Sequence, residues 1–376
     1  MPTNVTHVVR QYLPSIGGME EVVRNIAMHQ ARSGHSKARI ITLDRLFRNS
    51  GERLPEREEI GGIEVIRLPY YGSSRYPVCP RILRHLDNAD VVHVHGVDFF
   101  YDYLAATKWL HKRPLVLSTH GGFFHTNFAS SAKKTWFKTI TRMSSQAYNQ
   151  VVATSANDGK IFSRIMNAPK LQVIENGVDV EKYADQSSPT LQPTLIYFGR
   201  WSANKGLLAT LNLFDRLHAR DERWHLIIAG REYDHTLAEL QSRVGAMSLQ
   251  NHVQLAANPS DAELRKLIQQ ASYFICLSEH EGFGIAPIEG MSAGLTPVLS
   301  DIPPFAQLVD RSSLGFTIAE AASLDAMIDK LFHIHERGDR AYIERRRAAI
   351  NFAQNYAWPV VADRYLTLYD ALGTKR

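Results

Sequence analysis

The stretch Glu281-Gly282-Phe283-Gly284-Ile285-Ala286-Pro287-Ile288-Glu289 decides how the rest of the chain is interpreted. It follows the apolar run Tyr273–Leu277, which is typical of a buried strand. The glycines predict a turn after that strand, and the residues up to Glu289 predict the start of a helix. Helix N-termini attract anions, and carboxylates accept hydrogen bonds from hydroxyl groups. The pattern therefore suits a ligand with both phosphate and sugar; the alternative is a plain turn flanked by two solvated acids.

Length and composition are those of an ordinary soluble protein with two domains. The chain has 376 residues, of which 44% are hydrophobic and 22% are charged. Its two cysteines, Cys79 and Cys276, lie far apart, so neither a disulfide framework nor a cysteine metal site is expected. The N-terminus enters the strand-like run Val5–Val9 without a signal peptide, and no apolar run approaches the roughly 18 residues of a membrane span. We expect a cytoplasmic protein.

Charge is distributed unevenly between the two halves of the chain. Residues 1–180 contain 23 Lys and Arg against 15 Asp and Glu, whereas residues 181–376 contain 20 against 23. A basic half beside a slightly acidic half indicates that one face meets something anionic. Nucleic acid and an anionic membrane are both candidates at this point.

Short apolar runs rich in β-branched residues alternate with helical patterns along the whole chain. This alternation predicts an α/β protein in which parallel sheets are covered on both faces by helices. The predicted strands are Val5–Val9, Ala38–Leu43, Ile63–Leu68, Val91–Val94, Leu115–Ser118, Val151–Thr154, Leu171–Ile174, Leu195–Phe198, Leu226–Ala229, Val253–Leu255, Tyr273–Leu277, Pro297–Leu299 and Phe316–Ile318.

A polar segment with two prolines, residues 186–193, predicts a linker between two such domains. We expect one doubly wound domain over residues 1–185, a second over 194–356, and a C-terminal helix over 357–376. Ligands of such sheets bind beyond the carboxyl ends of the strands, so two facing domains would form a cleft.

Two glycine turns precede predicted helices and are candidate phosphate sites. Gly17-Gly18 opens the first helix, but it lacks the spacing of a dinucleotide site or a P-loop, and a plain tight turn is the alternative. Arg200 and Lys205 lie on either side of a turn after the first strand of the second half. Fixed cations near a helix start suit a diphosphate, since they stabilise its charge as a bond breaks; two solvated basic residues are the alternative.

Histidines mark two strand ends in the first half. His120 closes a predicted strand ahead of Gly121-Gly122, where a residue of a binding cleft would lie, although a lone histidine is often structural. His93 and His95 form a His-x-His pair, but no carboxylate or cysteine follows at a matching spacing. We therefore expect no metal site.

The basic segment from Lys133 to Arg142 carries apolar residues between its charges. On a helix, Lys133, Lys134, Trp136 and Lys138 could lie on an anionic bilayer surface. An ordinary amphipathic surface helix explains the same pattern. Nucleic-acid binding is less favoured, since the charge is sparse and no recognition motif accompanies it.

Taken together, these motifs resemble the retaining glycosyltransferases of family 4, which have the GT-B fold of two facing Rossmann-like domains with a deep cleft. Nearly the whole chain is similar, and one group of the family resembles it more closely: the α-mannosyltransferases of xanthan- and acetan-type exopolysaccharide assembly. The segments that carry the general resemblance are Gly17-Gly18-Met19-Glu20, Thr119-His120-Gly121, Asn176-Gly177-Val178-Asp179, Gly199-Arg200, Lys205-Gly206 and the Glu281/Glu289 pair. The segments that carry the closer one are Arg10–Ile16, Gly72–Pro77, Asp98–Tyr103, His120–Thr126 and Ser300–Phe305.

The resemblance implies a substrate pair and a role for each matching residue. Mannose would pass from GDP-mannose, with retention, to cellobiose on a polyprenyl diphosphate through an α-1,3 linkage, at the inner face of the cell membrane and without a metal cofactor. The implied catalytic residues are His120, Glu281, Arg200 and Lys205. The implied donor-binding residues are Gly17, Gly18, Arg200, Lys205, Gly282, Phe283, Gly284 and Glu289, with the base near Gln254 to Asn258. The implied acceptor-binding residues are Tyr12, His125 and Asp98.

Other functions remain open on the sequence alone. A family 4 enzyme with a different donor or lipid-linked acceptor would carry the same motifs. A sugar-nucleotide epimerase shares the two-domain fold, but the glutamate pair and the acceptor-type loops argue against it. A non-catalytic lectin or scaffold is disfavoured by the full set of charged candidates. For retention, we favour attack by the acceptor hydroxyl on the face that GDP leaves over a covalent intermediate on a carboxylate.

Overall fold

Each half of the sequence folds around a twisted sheet of mainly parallel strands, as the alternating pattern predicts. The computed structural model describes residues 3–34, 36–47, 51–74, 76–121, 137–318 and 324–373. One compact unit contains the chain up to Gly177 together with the helix Trp358–Gly373, and the other contains Val178–Ala357.

The first unit is built on an eight-stranded sheet with the order β10-β9-β8-β7-β1-β2-β4-β3. Every pairing is parallel except the one between β3 and β4. The strands are β1 Thr3–Val8, β2 Ser36–Leu43, β3 Arg57–Ile60, β4 Ile63–Leu68, β7 Val91–His95, β8 Leu115–Ser118, β9 Gln150–Ala153 and β10 Leu171–Val173, and a separate hairpin pairs β5 Tyr71–Ser73 with β6 Tyr76–Val78.

Helices cover both faces of this sheet. They are Gly18–Ser33, Phe99–Ala106, Lys108–His111, Arg142–Ala147, Ala156–Phe162 and Trp358–Gly373, with short 3-10 turns at Pro80–His85 and Ala168–Lys170 and a π-helical turn at Phe137–Thr141. The C-terminal helix buries Val361, Tyr365 and Tyr369 against the central strands, so the end of the chain completes the core of the first unit.

The second unit is built on a six-stranded, all-parallel sheet with the order β13-β12-β11-β14-β15-β16. Its strands are β11 Thr194–Phe198, β12 His225–Gly230, β13 Val253–Ala257, β14 Tyr273–Cys276, β15 Thr296–Ser300 and β16 Phe316–Ile318. Its helices are Leu207–Arg220, Leu237–Ala246, Asp261–Ile268, Ile285–Ser292, Pro303–Ser312, Leu324–His335 and Gly338–Ala353, with 3-10 turns at Ala203–Lys205 and Gln354–Tyr356.

Both sheets have a topological switch point, where chain order reverses from one strand to its neighbour. It lies between β1 and β7 in the first unit and between β11 and β14 in the second. Crevices that bind ligands form at the carboxyl ends of strands at such points. The fold therefore directs attention to the residues that follow these four strands.

The structure corrects the predicted linker. Segment 186–193 packs within the second unit, where the Ser187 amide donates to the Ala293 carbonyl (2.8 Å) and the Ser188 carbonyl accepts from the Tyr342 hydroxyl (2.6 Å). Both serines are buried, and the division between the units falls after Gly177. The polar composition reflects hydrogen bonding to neighbouring elements rather than a solvated linker.

All thirteen predicted strands are strands in the structure, but β3 and the β5–β6 hairpin were not expected. These three are short and largely exposed, and they lack the apolar runs by which buried strands are detected.

Candidate active site

Lys205 and Glu281 come together at the switch point of the second sheet. Lys205 ends the short turn after β11, and Glu281 lies in the loop after the adjacent strand β14. The Lys205 ammonium donates to Glu281 Oε1, which also accepts from Ser278 Oγ at 2.9 Å. The two charged side chains are 19% and 14% exposed, so the ion pair is partly buried but still accessible to solvent.

Gly206 is the residue that allows these two loops to meet. Its backbone is left-handed (φ 67°), and a Cβ atom there would collide with the Leu277 carbonyl oxygen at the end of β14. Only glycine accommodates both constraints without strain. The close contact brings the turn that carries Lys205 against the strand that leads to Glu281.

Two helix N-termini begin beside this ion pair. Leu207–Arg220 follows Gly206, and Ile285–Ser292 follows Gly284. Neither helix has a side-chain cap or an acidic residue in its first turn. Their first N–H groups and the positive ends of their dipoles can therefore serve an anion.

Arg200 and Glu289 occupy the same end of the sheet. Arg200 is exposed, and its guanidinium carbon lies 4.6 Å from the centre of the Tyr233 ring. Glu289 is half-buried on the helix Ile285–Ser292, and its charge acts on Lys182 and Tyr183.

The loop between β14 and this helix contains Gly282, Phe283 and Gly284. Gly282 is exposed, and the Phe283 ring packs 5.7 Å from that of Tyr356. Gly284 is left-handed (φ 96°) and lies against Phe305. The base was expected just after a strand, but Gln254 lies inside β13, and Asn258 is the residue that follows it.

His120 lies just beyond β8 in the first unit, in a backbone conformation that is uncommon for a residue with a side chain. Its φ is +50°, and strain of this kind is typical of functional positions. The turn is secured by Thr119, whose hydroxyl donates to Asp158 at 2.6 Å. Burial lowers the pKa of His120 to about 4, so its ring is neutral near pH 7.

A cluster of three further histidines lies behind His120. His7 on β1 pairs in register with His93 on β7, and His95 follows two residues later on the same face. All three are fully buried, with ring nitrogens close enough together to make the group a geometric candidate for a metal site. The predicted absence of such a group rested on His93 and His95 alone and overlooked His7.

Hydrogen bonds already use both ring nitrogens of each buried histidine. His7 bonds to His95 (3.0 Å) and Gln30 (2.6 Å), and His95 also bonds to His120 (3.0 Å). His93 bonds to the Tyr369 hydroxyl (2.6 Å) and the Ser118 hydroxyl (2.8 Å).

Burial also favours the uncharged form of these rings. It lowers the pKa of His7 to about 4 and shifts the pKa of His93 and His95 well below the usual range. The group is therefore satisfied as a neutral hydrogen-bonded network, and a cation would have to displace existing partners.

Two residues predicted to contact an acceptor, Tyr12 and Asp98, have structural roles in the first unit. Tyr12 is buried in the core between β1, β2 and the first helix. Asp98 caps the helix Phe99–Ala106 by accepting from the Phe100 amide (2.8 Å), and Arg10 Nε lies 2.9 Å from its other oxygen. Their contact with an acceptor stays a prediction.

Gly17-Gly18 opens the helix Gly18–Ser33, as predicted. The Glu20 carboxylate accepts from the Ser15 hydroxyl (2.9 Å) close to Gly17, so this helix N-terminus already has an acidic neighbour. That arrangement is less suited to a diphosphate than the N-termini of the second unit.

Several predicted residues lie outside the described part of the chain. They are His125, Lys133, Lys134 and Trp136, together with the side chain of Lys138. No helix among the described residues combines the length and apolar character needed to cross a membrane.

Sequence reasoning missed Gln30, His7 and Ser278. Ser278 lies between a strand and Glu281 and carried no motif. His7 and Gln30 lie in the first strand and first helix, where the sequence pattern gives no sign of a shared site. The parallel register of β1 with β7 was the signal that could have linked His7 to His93, but register is not visible in a single sequence.

Comparison with known proteins agrees with this geometry. The family model "Glycosyltransferase Family 4" matches residues 16–182, and "Glycosyl transferases group 1" matches residues 179–355. A GDP-mannose:cellobiosyl-diphosphopolyprenol alpha-mannosyltransferase of Xanthomonas oryzae pv. oryzae is 50% identical over 99% of this chain and 98% of its own. The protein with the same description from Komagataeibacter xylinus is 39% identical over 97% of this chain and 92% of its own.

Solved structures show the same fold. A glycosyltransferase from Rickettsia africae superposes with a TM-score of 0.75 over the whole of both chains at 18% identity. At this identity the likeness shows a shared architecture. The chain therefore belongs to the family 4 glycosyltransferases and has the GT-B fold.

Proposed function

We propose that this enzyme is a retaining α-mannosyltransferase that moves mannose from GDP-mannose to cellobiose on a polyprenyl diphosphate, forming an α-1,3 linkage. The observation that carries the proposal is the 50% identity, over nearly the full length of both chains, to proteins described by that activity. The charged end of the second sheet supports it, since a cation and two glycine-capped helix N-termini suit a departing diphosphate.

Charge separation is the step that these residues would assist. As mannose leaves GDP, negative charge grows on the diphosphate and positive charge grows at the anomeric carbon. Lys205, Arg200 and the two helix N-termini would stabilise the diphosphate, and the acceptor hydroxyl would attack on the face that GDP leaves. The leaving phosphate would take the proton of that hydroxyl.

Glu281 pairs with Lys205, and this contact suggests an exchange. When the diphosphate binds, Lys205 would turn to it and release the carboxylate toward the sugar. Glu281 would then face the positive charge that develops at the anomeric carbon. Glu289, on the helix that begins at Gly284, would hold the ribose hydroxyls, and the Gly282–Gly284 backbone would contact sugar hydroxyls.

We also propose that the reaction needs no metal, because Lys205, Arg200 and the helix N-termini supply the positive charge. The test is incubation of the full chain with GDP-mannose and cellobiosyl-diphosphate lipid in excess chelator. α-Linked mannosyl lipid should form under these conditions. A chelated enzyme that regains activity only with a divalent cation would contradict metal independence, and absence of transfer with the cation restored would contradict the proposed substrates. UDP-glucose, tested in parallel, should not replace the donor.

The lipid-linked acceptor would require the enzyme to reach an anionic membrane surface, and we propose the first unit for this contact. Its sequence is the basic half of the chain, and Trp109 and Leu110 are 73% and 52% exposed beside the exposed Lys112. Exposed aromatic residues next to lysines are typical of interfacial contact on the inner face of a cell membrane. The triple substitution of Lys133, Lys134 and Lys138 by alanine should weaken binding to anionic vesicles and leave GDP binding unchanged. Equal vesicle binding by the variant would count against that segment.

A further inference from the structure

The histidines behind His120 form a continuous chain of hydrogen bonds that begins at a fixed amide. Gln30, near the end of the helix Gly18–Ser33, is fully buried and lies 2.6 Å from His7. His7 is linked to His95, and His95 to His120, each at 3.0 Å between ring nitrogens. Two linked rings thus connect the Gln30 side-chain amide to His120, the partly exposed histidine beyond β8.

Gln30 determines which nitrogen donates and which accepts along this series of hydrogen bonds. Its side-chain nitrogen donates to the Ser36 hydroxyl (3.1 Å), and its amide oxygen lies 2.6 Å from His7 Nε2. An amide oxygen can only accept, so His7 Nε2 must carry the hydrogen. The opposite tautomer would set two lone pairs against each other in a buried site, which is costly.

Each neutral ring then fixes the next one. Because His7 is protonated on Nε2, its Nδ1 must accept, and the donor is His95 Nε2. His95 Nδ1 must accept in turn, and the donor is His120 Nε2. His120 is left with Nδ1 as its acceptor nitrogen.

We propose that Gln30 is a positioning residue that acts through His7 and His95 to hold His120 in the Nε2–H tautomer, so that His120 Nδ1 accepts a hydrogen bond from a substrate hydroxyl. Under the proposed function this hydroxyl belongs to one of the sugars, and that part of the inference rests on the proposed function. The direction of the chain does not, because it follows from the buried contacts alone. Gln30 itself never touches substrate.

The neighbouring His93 provides an internal comparison. It lies 4.0 Å from the His95 ring centre, is equally buried, and bonds to Tyr369 and Ser118 instead of joining the chain. A variant that disturbs His93 therefore perturbs the same buried cluster without changing the donor order between Gln30 and His120. Tyr369→Phe, which removes one hydroxyl from this branch, is the matched control.

The first test measures the tautomer directly and needs no substrate. The full chain, labelled with 15N-histidine, is studied by two-bond 1H–15N spectra, and His120→Asn identifies the His120 signals. The expected result is a His120 ring with a protonated Nε2 and an unprotonated Nδ1 at pH 7. A ring protonated on Nδ1 would overturn the proposal even if transferase activity is intact. Signals of His7, His93 and His95 that shift on addition of Zn²⁺ would also overturn it, since the lone pairs would then serve a metal.

The second test removes the side-chain amide of Gln30. Gln30→Leu keeps the approximate volume and deletes the amide, so His120 should populate both tautomers, while Tyr369→Phe should retain the wild-type spectrum. In the transfer assay, kcat should fall by about tenfold, the effect of one misdirected hydrogen bond, with little change in KM for GDP-mannose. If Gln30→Leu does not fold, Ser36→Ala replaces it, because it releases the amide orientation. Variants that keep the wild-type tautomer would overturn the role of Gln30. A wild-type protein that shows the expected tautomer but no transfer would instead count against the proposed substrates.

Discussion

The two sheets of this enzyme carry opposite chemistry at the same topological position. Beyond β11 and β14, the second unit presents an ion pair between Lys205 and Glu281 beside two helix N-termini. Behind the ends of β1 and β7, the first unit instead contains a cluster of buried, uncharged histidines, in which His7 bonds to His95 and His93 bonds to Tyr369. Equivalent positions in related folds thus differ in the ligand chemistry that they suit: fixed charge suits a diphosphate, and neutral donors and acceptors suit hydroxyl groups.

The cost of desolvation explains why the ion pair stays partly exposed while the histidines are fully buried. Lys205 and Glu281 keep 19% and 14% of their side-chain surface exposed, and full burial would impose a desolvation cost of several kcal/mol on each ion. Neutral imidazoles avoid that cost when both nitrogens are hydrogen-bonded, so the histidines can lie in the core. The charged site can therefore admit a ligand directly, whereas under our proposal the neutral network would act on substrate through His120.

Removal of the Lys205 ammonium group should have the largest effect on turnover. Lys205→Ala removes a charge that strengthens its contact with the diphosphate as the bond breaks, so kcat should fall by roughly 10²–10³-fold, about 3–4 kcal/mol. Steady-state transfer from GDP-mannose provides the measurement. Arg243→Ala is the matched control, because Arg243 pairs with Glu239 on an exposed helix surface and should have little effect. Unchanged turnover in Lys205→Ala would contradict the role of Lys205 in stabilising the diphosphate.

Acid should destabilise the neutral network specifically. The pKa of His93 is lowered in the folded state by burial and, to a lesser degree, by the neighbouring His7 and His120. Since the unfolded chain binds protons more readily, stability is present above about pH 6.5 and is lost as pH falls toward the folded pKa. The loss between pH 6.5 and pH 5 is on the order of 2 kcal/mol for each buried histidine.

His93→Gln measures that contribution. Urea unfolding at pH 7 and pH 5 gives, for each protein, the unfolding free energy that is lost on acidification. This loss should be about 2 kcal/mol smaller in the variant than in the wild type. His333→Gln, at a position outside the buried network, should leave the difference unchanged. An equal pH effect in His93→Gln and the wild type would mean that His93 is not held neutral by the fold.

Much of the fold was predictable because parallel sheets leave a strong signal in sequence. Both faces of each central strand are covered, so β-branched runs such as Val91–Val94 and Leu226–Ala229 stand out. The exposed hairpin β5–β6 has no such requirement and was missed. The supposed linker was misassigned because Ser187 and Ser188 satisfy their polar groups within the second unit rather than in water.

The site was predictable only where a short motif defines it. Glycine turns locate Lys205 and Glu281, since the chemistry and the backbone constraint lie within a few residues of each other. The network behind His120 depends on contacts across three strands and a helix, including a histidine and a glutamine 23 residues apart. Tyr12 and Asp98, which the resemblance places at the acceptor, also serve packing and helix capping, and the sequence shows neither of these two roles.

Neutralising Glu281 tests whether the charged site works by exchange. Glu281→Gln keeps the size of the side chain but removes its negative charge, which makes this strand end more like the neutral one of the first unit. GDP should bind roughly fivefold more tightly, because a repulsive charge near the diphosphate is removed. Turnover should nevertheless fall by about tenfold, about 1.4 kcal/mol, since the positive charge at the anomeric carbon loses its partner.

Titration calorimetry with GDP and the transfer assay measure the two effects separately. Ser278→Ala is the matched control, since it removes a hydrogen bond to Glu281 while the charge remains. GDP binding that weakens in Glu281→Gln would show that the carboxylate orients Lys205 for the nucleotide instead of competing with it.

The difference between the units should extend to their surfaces, with the smallest effect. The first unit exposes Trp109 next to basic residues, and Trp109→Ser should weaken binding to anionic vesicles about fivefold, roughly 1 kcal/mol, because an indole ring partly buried at the interface is lost. Vesicle sedimentation with phosphatidylglycerol-containing liposomes provides the measurement. Ile343→Ser, an exposed apolar position of the second unit, is the control and should bind as the wild type does. A greater loss in Ile343→Ser than in Trp109→Ser would place the membrane contact on the second unit, and the first unit would then lose its role as the side that meets the lipid-linked acceptor.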